Sequence, residues 1–296
     1  MGDQVVELWL GLTIAAAFVQ NLRVVLQRSL TGRLSVNGAT WVRFVYALPF
    51  AWLVCLWIWG GELPRLGMEF FAYLVLGASG QILATAWLLA SFRHSAFAVG
   101  TALSKTEAAQ AALFGIFLLG DGISTTIALG LIISLIGVIM LSVNVRDFSW
   151  EQIDKRAVWL GIGSGAGFAL AAVGFRGASL AVPTQEVFAA ATLTVAFAVT
   201  LQTVMLAAYL RWREPGEIGR VLGVWRKGAL IGVLAMAASA GWFAAMTLQN
   251  AGVVRAVGQI ELIFALATSV WFLNEKVQLR EVAGIGLLVM GILLLI

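Results

Sequence analysis

Two carboxylates stand inside long apolar runs of the sequence, Glu107 in ALSKTEAAQAAL and Glu261 in VGQIELIFALA. A charged acid at the centre of a bilayer costs about 2.5–3.5 kcal/mol, so each is expected to face protein or a water-filled cavity. There it can take a proton or a substrate's amino group; the structural alternative is a paired acid that fixes helix packing. Lys105 is two residues from Glu107, about 200° around a helix, so the two cannot share a face. Lys105 is therefore expected to reach another span, where an acid, helix-end carbonyls or a substrate carboxylate would receive it. Arg255 and Gln259 are four apart and do share a face. Arg255 also lies near the start of its run, where a long side chain can instead snorkel to the interface.

Further polar groups sit in apolar surroundings. Gln20, Asn21 and Arg23 occupy positions where the matching stretch of the second half has Leu170, Ala171 and Val173. Gln20 and Asn21 donate and accept hydrogen bonds, which suits a zwitterionic or polyhydroxy ligand; an interhelical hydrogen bond is the plainer use. Arg23 is expected near the end of its span. Gln81 with Trp87, and Ser239 with Trp242, are candidates to line the same cavity, against a packing role for the two indoles. His94, beside Arg93, is expected to face solvent. Cys55 is the one cysteine, so a disulfide or CxxC metal site within the chain is excluded. No GxxxxGK[ST] occurs, which argues against ATP hydrolysis. Neither a catalytic residue, a metal site nor a cofactor is expected.

The elements that must position these residues come in two copies. At a constant offset Glu107 falls on Glu261, Asp121 on Glu275, Gly130 on Gly284 and Gly137 on Gly291. The stretch from Trp9, WLGLTIAAAFVQNLRVVLQRSL, likewise matches WLGIGSGAGFALAAVGFRGASL from Trp159. Gly130/Gly137 and Gly284/Gly291 each line one stripe of a helix, and Gly161, Gly163, Gly165 and Gly167 give overlapping GxxxG spacings that allow close helix approach.

Composition sets the solvent. The chain is 61% hydrophobic and 11% charged, against about 25% charged in soluble domains, so it needs lipid. The net charge of +4 sits mostly in short loops and suits a membrane surface rather than nucleic acid. No signal peptide is read at the start. Apolar runs long enough to span are expected near Leu8–Leu26, Trp41–Trp59, Phe70–Phe92, Ala96–Leu119 and Ile123–Val143. Five more lie near Ala157–Phe175, Val187–Leu210, Ala229–Leu248, Val253–Leu273 and Val282–Ile296. Trp9, Trp41, Trp59, Trp159, Trp212, Trp225 and Trp271 fall where an interfacial belt would lie.

The expected fold is thus an all-α integral membrane protein. Ten transmembrane helices form two five-helix repeats, 1–147 and 148–296, around a central cavity. Five is odd, so the second copy enters the membrane in the opposite sense and the repeat is inverted, with the site near the midplane. Lys and Arg concentrate in the connections after odd-numbered spans, which places both termini outside.

These features resemble the drug/metabolite transporter superfamily, specifically the ten-span EamA-like group. Each half has a span with an intramembrane acid, then a short turn (LLGDGIS, FLNEKVQ), then a glycine-spaced last span (GLIISLIGV, GIGLLVMG). The resemblance implies a secondary transporter of a small polar metabolite in the inner (plasma) membrane, most readily amino-acid or related efflux by alternating access. The family's usual proline after the acid is replaced by Ala108 and Leu262, which removes the usual cause of a kink there. Relatives are thought to keep both termini in the cytoplasm, the reverse of the loop charges here. Glu107 and Glu261 are the candidates for proton coupling. An intramembrane lipid-modifying enzyme would need clustered His, Cys or paired acids, and a non-coupled channel a filter motif or charged ring; the sequence shows neither. The partners expected are a small-molecule substrate, protons and the bilayer, and no nucleic acid.

Overall fold

The computed structural model describes residues 2–30, 32–91, 97–142, 155–264, 266–267 and 278–296. Among them run thirteen helices: α1 Gly2–Arg28, α2 Val36–Val45, α3 Ala47–Ile58, α4 Met68–Ser91, α5 Phe97–Ser104, α6 Glu107–Leu119 and α7 Thr125–Ser142. The rest are α8 Lys155–Leu180, α9 Val187–Arg213, α10 Glu217–Gly223, α11 Trp225–Leu248, α12 Ala251–Gly258 and α13 Leu279–Leu295. Residues 261–264 add a further helical turn. Seven described stretches are long and apolar enough to cross a membrane: Val5–Arg28, Val36–Ile58, Met68–Ser91, Thr125–Ser142, Lys155–Leu180, Val187–Arg213 and Trp225–Leu248. In lipid, helices satisfy their backbone groups internally, which is why the described residues of so apolar a chain are mostly helical. His94, Trp271, Glu275, Lys276 and most of the expected inter-repeat loop lie outside the described residues.

Proline and glycine punctuate the helices. Pro49 clashes with the carbonyl four residues back, and α2 gives way to α3 at Tyr46, one residue beyond that carbonyl. Helices α8 and α9 stop shortly before Pro183 and Pro215. Gly120 ends α6 with φ +70°, a left-handed cap that glycine takes without a Cβ penalty.

The chain divides into two compact units. One comprises Met1–Leu10, Ser79–Gly174 and Gln249–Ile296; the other comprises Gly11–Ala78 and Phe175–Leu248.

In the first unit α7 packs against α13 and α6 against α12. The α7–α13 seam is made by the spaced glycines. A Cβ on Gly137 would lie 2.6 Å from Leu288 N and 2.7 Å from Gly284 O, and one on Gly291 would lie 2.5 Å from Ser134 N. Each glycine thus touches the partner's backbone, as a close-packing stripe requires. The glycines of α8 split into two stripes. Gly161 and Gly165 abut Leu103 and Thr106, while Gly163 and Gly167 abut Trp87 and Ala84.

The second unit packs α9 against α11, α3 and α2, with α10 against α2. Its indoles bond to α9: Trp41 Nε1 donates to Thr203 O (3.0 Å, buried), Trp52 Nε1 to Thr200 Oγ1 (2.9 Å) and Trp59 Nε1, at the end of α3, to Ala189 O (3.2 Å). Two of the tryptophans assigned to an interfacial belt, Trp9 and Trp41, are buried core residues, whereas Trp159, Trp212 and Trp225 are exposed.

Candidate functional site

The fourth and ninth apolar runs were expected to be continuous spans, and both are broken. α5 ends at Ser104 and α6 begins at Glu107; α12 ends at Gly258 and helix resumes at Glu261. The turns Lys105–Thr106 and Gln259–Ile260 fall at the repeat offset of the sequence. No proline is involved. At the first break the Ser104 and Thr106 hydroxyls donate to Thr101 O (2.7 Å) and Leu103 O (2.6 Å); Thr101 O still accepts the helical bond from Lys105 N at 3.2 Å, so the ladder fails only at the next residue. Thr106 N instead bonds Leu103 O at 3.2 Å. At the second break Gln259 N and Ile260 N bond Ala256 O and Val257 O, both at 3.1 Å. These i→i−3 bonds are 3₁₀ geometry, which within a helix often marks a functional hinge.

The breaks place charge with electrostatic logic. Glu107 is the first residue of α6 and Glu261 the first of its helical turn, where a helix start favours a negative group. Arg255 is in the last turn of α12 and Lys105 just past α5, where a helix end favours a positive one.

The charges then pair crosswise between the copies. Arg255 Nη2 donates to Glu107 Oε1 at 2.6 Å, and Lys105 Nζ forms an ion pair with Glu261. Gln259 Nε2 adds a longer bond to the same Glu107 oxygen, 3.4 Å. The Glu107 side chain is 4% exposed and that of Arg255 19%. Gln259 is also buried, and its Oε1 has no hydrogen-bond partner. The shared face of Arg255 and Gln259 thus converges on Glu107, and the Lys105 side chain reaches an acid of another element. Arg255 does not snorkel outward; it is held inside the unit by Glu107.

Two supports of this region were not anticipated. Asn250 caps α12, its Oδ1 accepting from Gly252 N (2.8 Å), while its Nδ2 donates to Asp121 Oδ2 (2.9 Å) in the turn after α6. An Asn immediately before an apolar run is a start signal that the sequence does carry. Gln110 Nε2 donates to Thr106 Oγ1 (2.7 Å), bracing the first break.

The remaining candidates belong to other helices. Gln81 is half-buried on α4. Trp87, 39% exposed, lies over Gly163 of α8, so its face is a packing surface. In the second unit Trp242 is buried and donates to Gln20 Oε1 at 3.2 Å, an interhelical hydrogen bond. Asn21 and Ser239 are half-buried. Arg23, expected near a span end, is 7% exposed and donates to Gln27 Oε1 at 2.9 Å.

Comparison with known proteins adds two findings. Residues 155–296 match the EamA-like transporter family. A protein of known crystal structure has the same fold, with a TM-score of 0.73 at 13% identity over 96% of this chain and 95% of that one. At that identity the likeness carries the fold alone. No curated protein matches the chain.

Proposed function

We propose that this chain, whose residues 155–296 match the EamA-like transporter family, is a member of that family and a secondary carrier of a small zwitterionic metabolite, of amino-acid class, working by alternating access. One observation carries the reading: two helix breaks at repeat-equivalent positions, each with a cation and an acid, exchange their charges crosswise. A buried pair of this kind is a poor device for stability alone, because desolvation offsets most of the attraction. It suits a ligand with a carboxylate and an ammonium. The substrate carboxylate takes Arg255 and Lys105, and its ammonium takes Glu107, Glu261 and the unsatisfied Gln259 Oε1. One substrate carboxylate shared by two cations, and one ammonium shared by two acids, leaves every charge of the site beside an opposite one and the net charge unchanged. Protons enter at the same acids: a protonated Glu107 no longer holds Arg255, which frees the guanidinium for a substrate.

The broader architecture proposed with this function is ten spans in two inverted repeats, 1–147 and 148–296. Its basic loops lie in the cytoplasm and both termini outside an inner (plasma) membrane. Efflux is the proposed direction. An intramembrane enzyme and a non-coupled channel are the alternatives, and the family favours neither. A thermal-shift screen of the purified protein against metabolites tests the substrate class. Zwitterionic amino acids should stabilise it, while analogues lacking either the carboxylate or the ammonium should not. Stabilisation by both truncated analogues equal to that by the intact zwitterion would remove the paired-charge reading.

A further inference from the structure

The connection from the end of α9 through α10 to the start of α11 segregates its charges. Arg211, Arg213, Arg226 and Lys227 are exposed. Two further exposed cations of the same unit, Arg28 and Arg33, flank the end of α1, and Lys227 Nζ reaches Ser29 Oγ there at 3.3 Å. The two acids of the connection are turned inward. Glu217 is fully buried, accepting from Ser35 N at 2.6 Å and pairing with Arg220. Glu214 accepts from Asn37 Nδ2 at 2.6 Å and from the Ser35 hydroxyl. What remains outside is almost wholly positive.

Two exposed indoles bracket α10 within this cationic surface. Trp212 is 71% exposed with the Arg213 guanidinium 3.9 Å from its ring centroid; Trp225 is 59% exposed with Arg226 at 5.5 Å. Leu222, on the helix between them, is exposed as well. Exposed Trp at a span end anchors a segment at headgroup depth, and Lys and Arg beside it meet the phosphates of an anionic leaflet.

We propose that the Arg211–Lys227 connection is a binding site for anionic phospholipid headgroups, with the Trp212–Arg213 and Trp225–Arg226 pairs as its anchors. The indoles and Leu222 enter the headgroup boundary and the guanidinium groups take the phosphates. Sequestering Glu214 and Glu217 against Ser35 and Asn37 removes the carboxylates that would otherwise repel those phosphates, and it ties the connection to the start of α2. The site is independent of the transported solute.

The test uses the full-length protein in phosphatidylcholine bilayers doped with dibrominated phosphatidylglycerol or dibrominated phosphatidylcholine, with tryptophan quenching as the readout. Phosphatidylglycerol should be preferred. The preference should fall roughly fivefold for each cation removed in R213Q, R226Q and K227Q, and it should weaken with rising salt. The variant W212F/W225F, changed at exposed positions only, should lose most of the preferential quenching. A preference unchanged in the triple variant, unaffected by salt, or fully retained in W212F/W225F would overturn the proposal. Stronger quenching by dibrominated phosphatidylcholine would do so as well.

Discussion

Removing the two partners of the Arg255–Glu107 pair one at a time should have unequal effects. Deleting one partner of a buried pair costs about 3–5 kcal/mol, because the other is left charged and uncompensated. Glu107→Gln leaves Arg255, whose side chain keeps 19% of its exposure, so the lower end, about 3 kcal/mol, is expected. Arg255→Gln leaves a carboxylate only 4% exposed, held by Gln259 Nε2 at 3.4 Å; the upper end, about 5 kcal/mol, is expected. The double variant leaves neither charge of the pair behind and should lose less than either single variant, under about 3 kcal/mol, a coupling of at least about 5 kcal/mol and within the range for close charge pairs. Unfolding by titration with sodium dodecyl sulfate in mixed micelles, for the wild type and the three variants, measures all four corners of the cycle. Single effects that add to within ~0.5 kcal/mol would mean that the two groups do not interact directly. A larger loss for E107Q than for R255Q would refute the burial reasoning behind the asymmetry.

Other consequences follow from the same structure. Gly137→Ala puts a methyl 2.6 Å from the Leu288 amide nitrogen and should cost about 1–3 kcal/mol. Gly286→Ala on α13, with nothing within 4 Å, should be neutral or gain up to about 1 kcal/mol from helix propensity; the same micelle titration compares them. Asn250→Ala removes the α12 cap and the Asp121 bond and should cost about 1–2 kcal/mol, read as a drop in thermal midpoint. Lys105→Met and Glu261→Gln should weaken substrate-induced thermal stabilisation at least about tenfold in half-saturating concentration, one lost charged contact being worth about 1.5–3 kcal/mol. A reporter fused to the C-terminus should read extracytoplasmic in growing cells if the loop charges set the orientation.

Much of this architecture is legible in the sequence because lipid leaves few choices: apolar runs become helices, and Pro49, Pro183 and Pro215 mark where they stop. The convergence of Arg255 and Gln259 on one acid follows from their spacing, and so does the turn of Lys105 away from Glu107. The breaks themselves were hidden. Neither contains proline, and the first shows as Thr106 N turning to the carbonyl three residues back, a shift that apolar periodicity does not register. Which cation meets which acid is tertiary information, and the crosswise exchange is invisible to any local pattern. Trp41 illustrates the opposite error. Its place near the end of an apolar run suggests an interface, yet its indole N–H found Thr203 O inside the protein, and a buried Trp needs only such a partner.

The central claim is that the crossed charges at the two breaks bind a zwitterionic cargo and move with it. Counterflow of a labelled amino-acid pool in proteoliposomes tests this most directly, with wild type and E107Q/E261Q measured side by side, with and without a pH gradient. The expected result is saturable counterflow by the wild type, accelerated by the gradient, and its loss in a variant that still folds. Flux that fails to saturate, or that persists undiminished when both carboxylates are gone, would contradict the account.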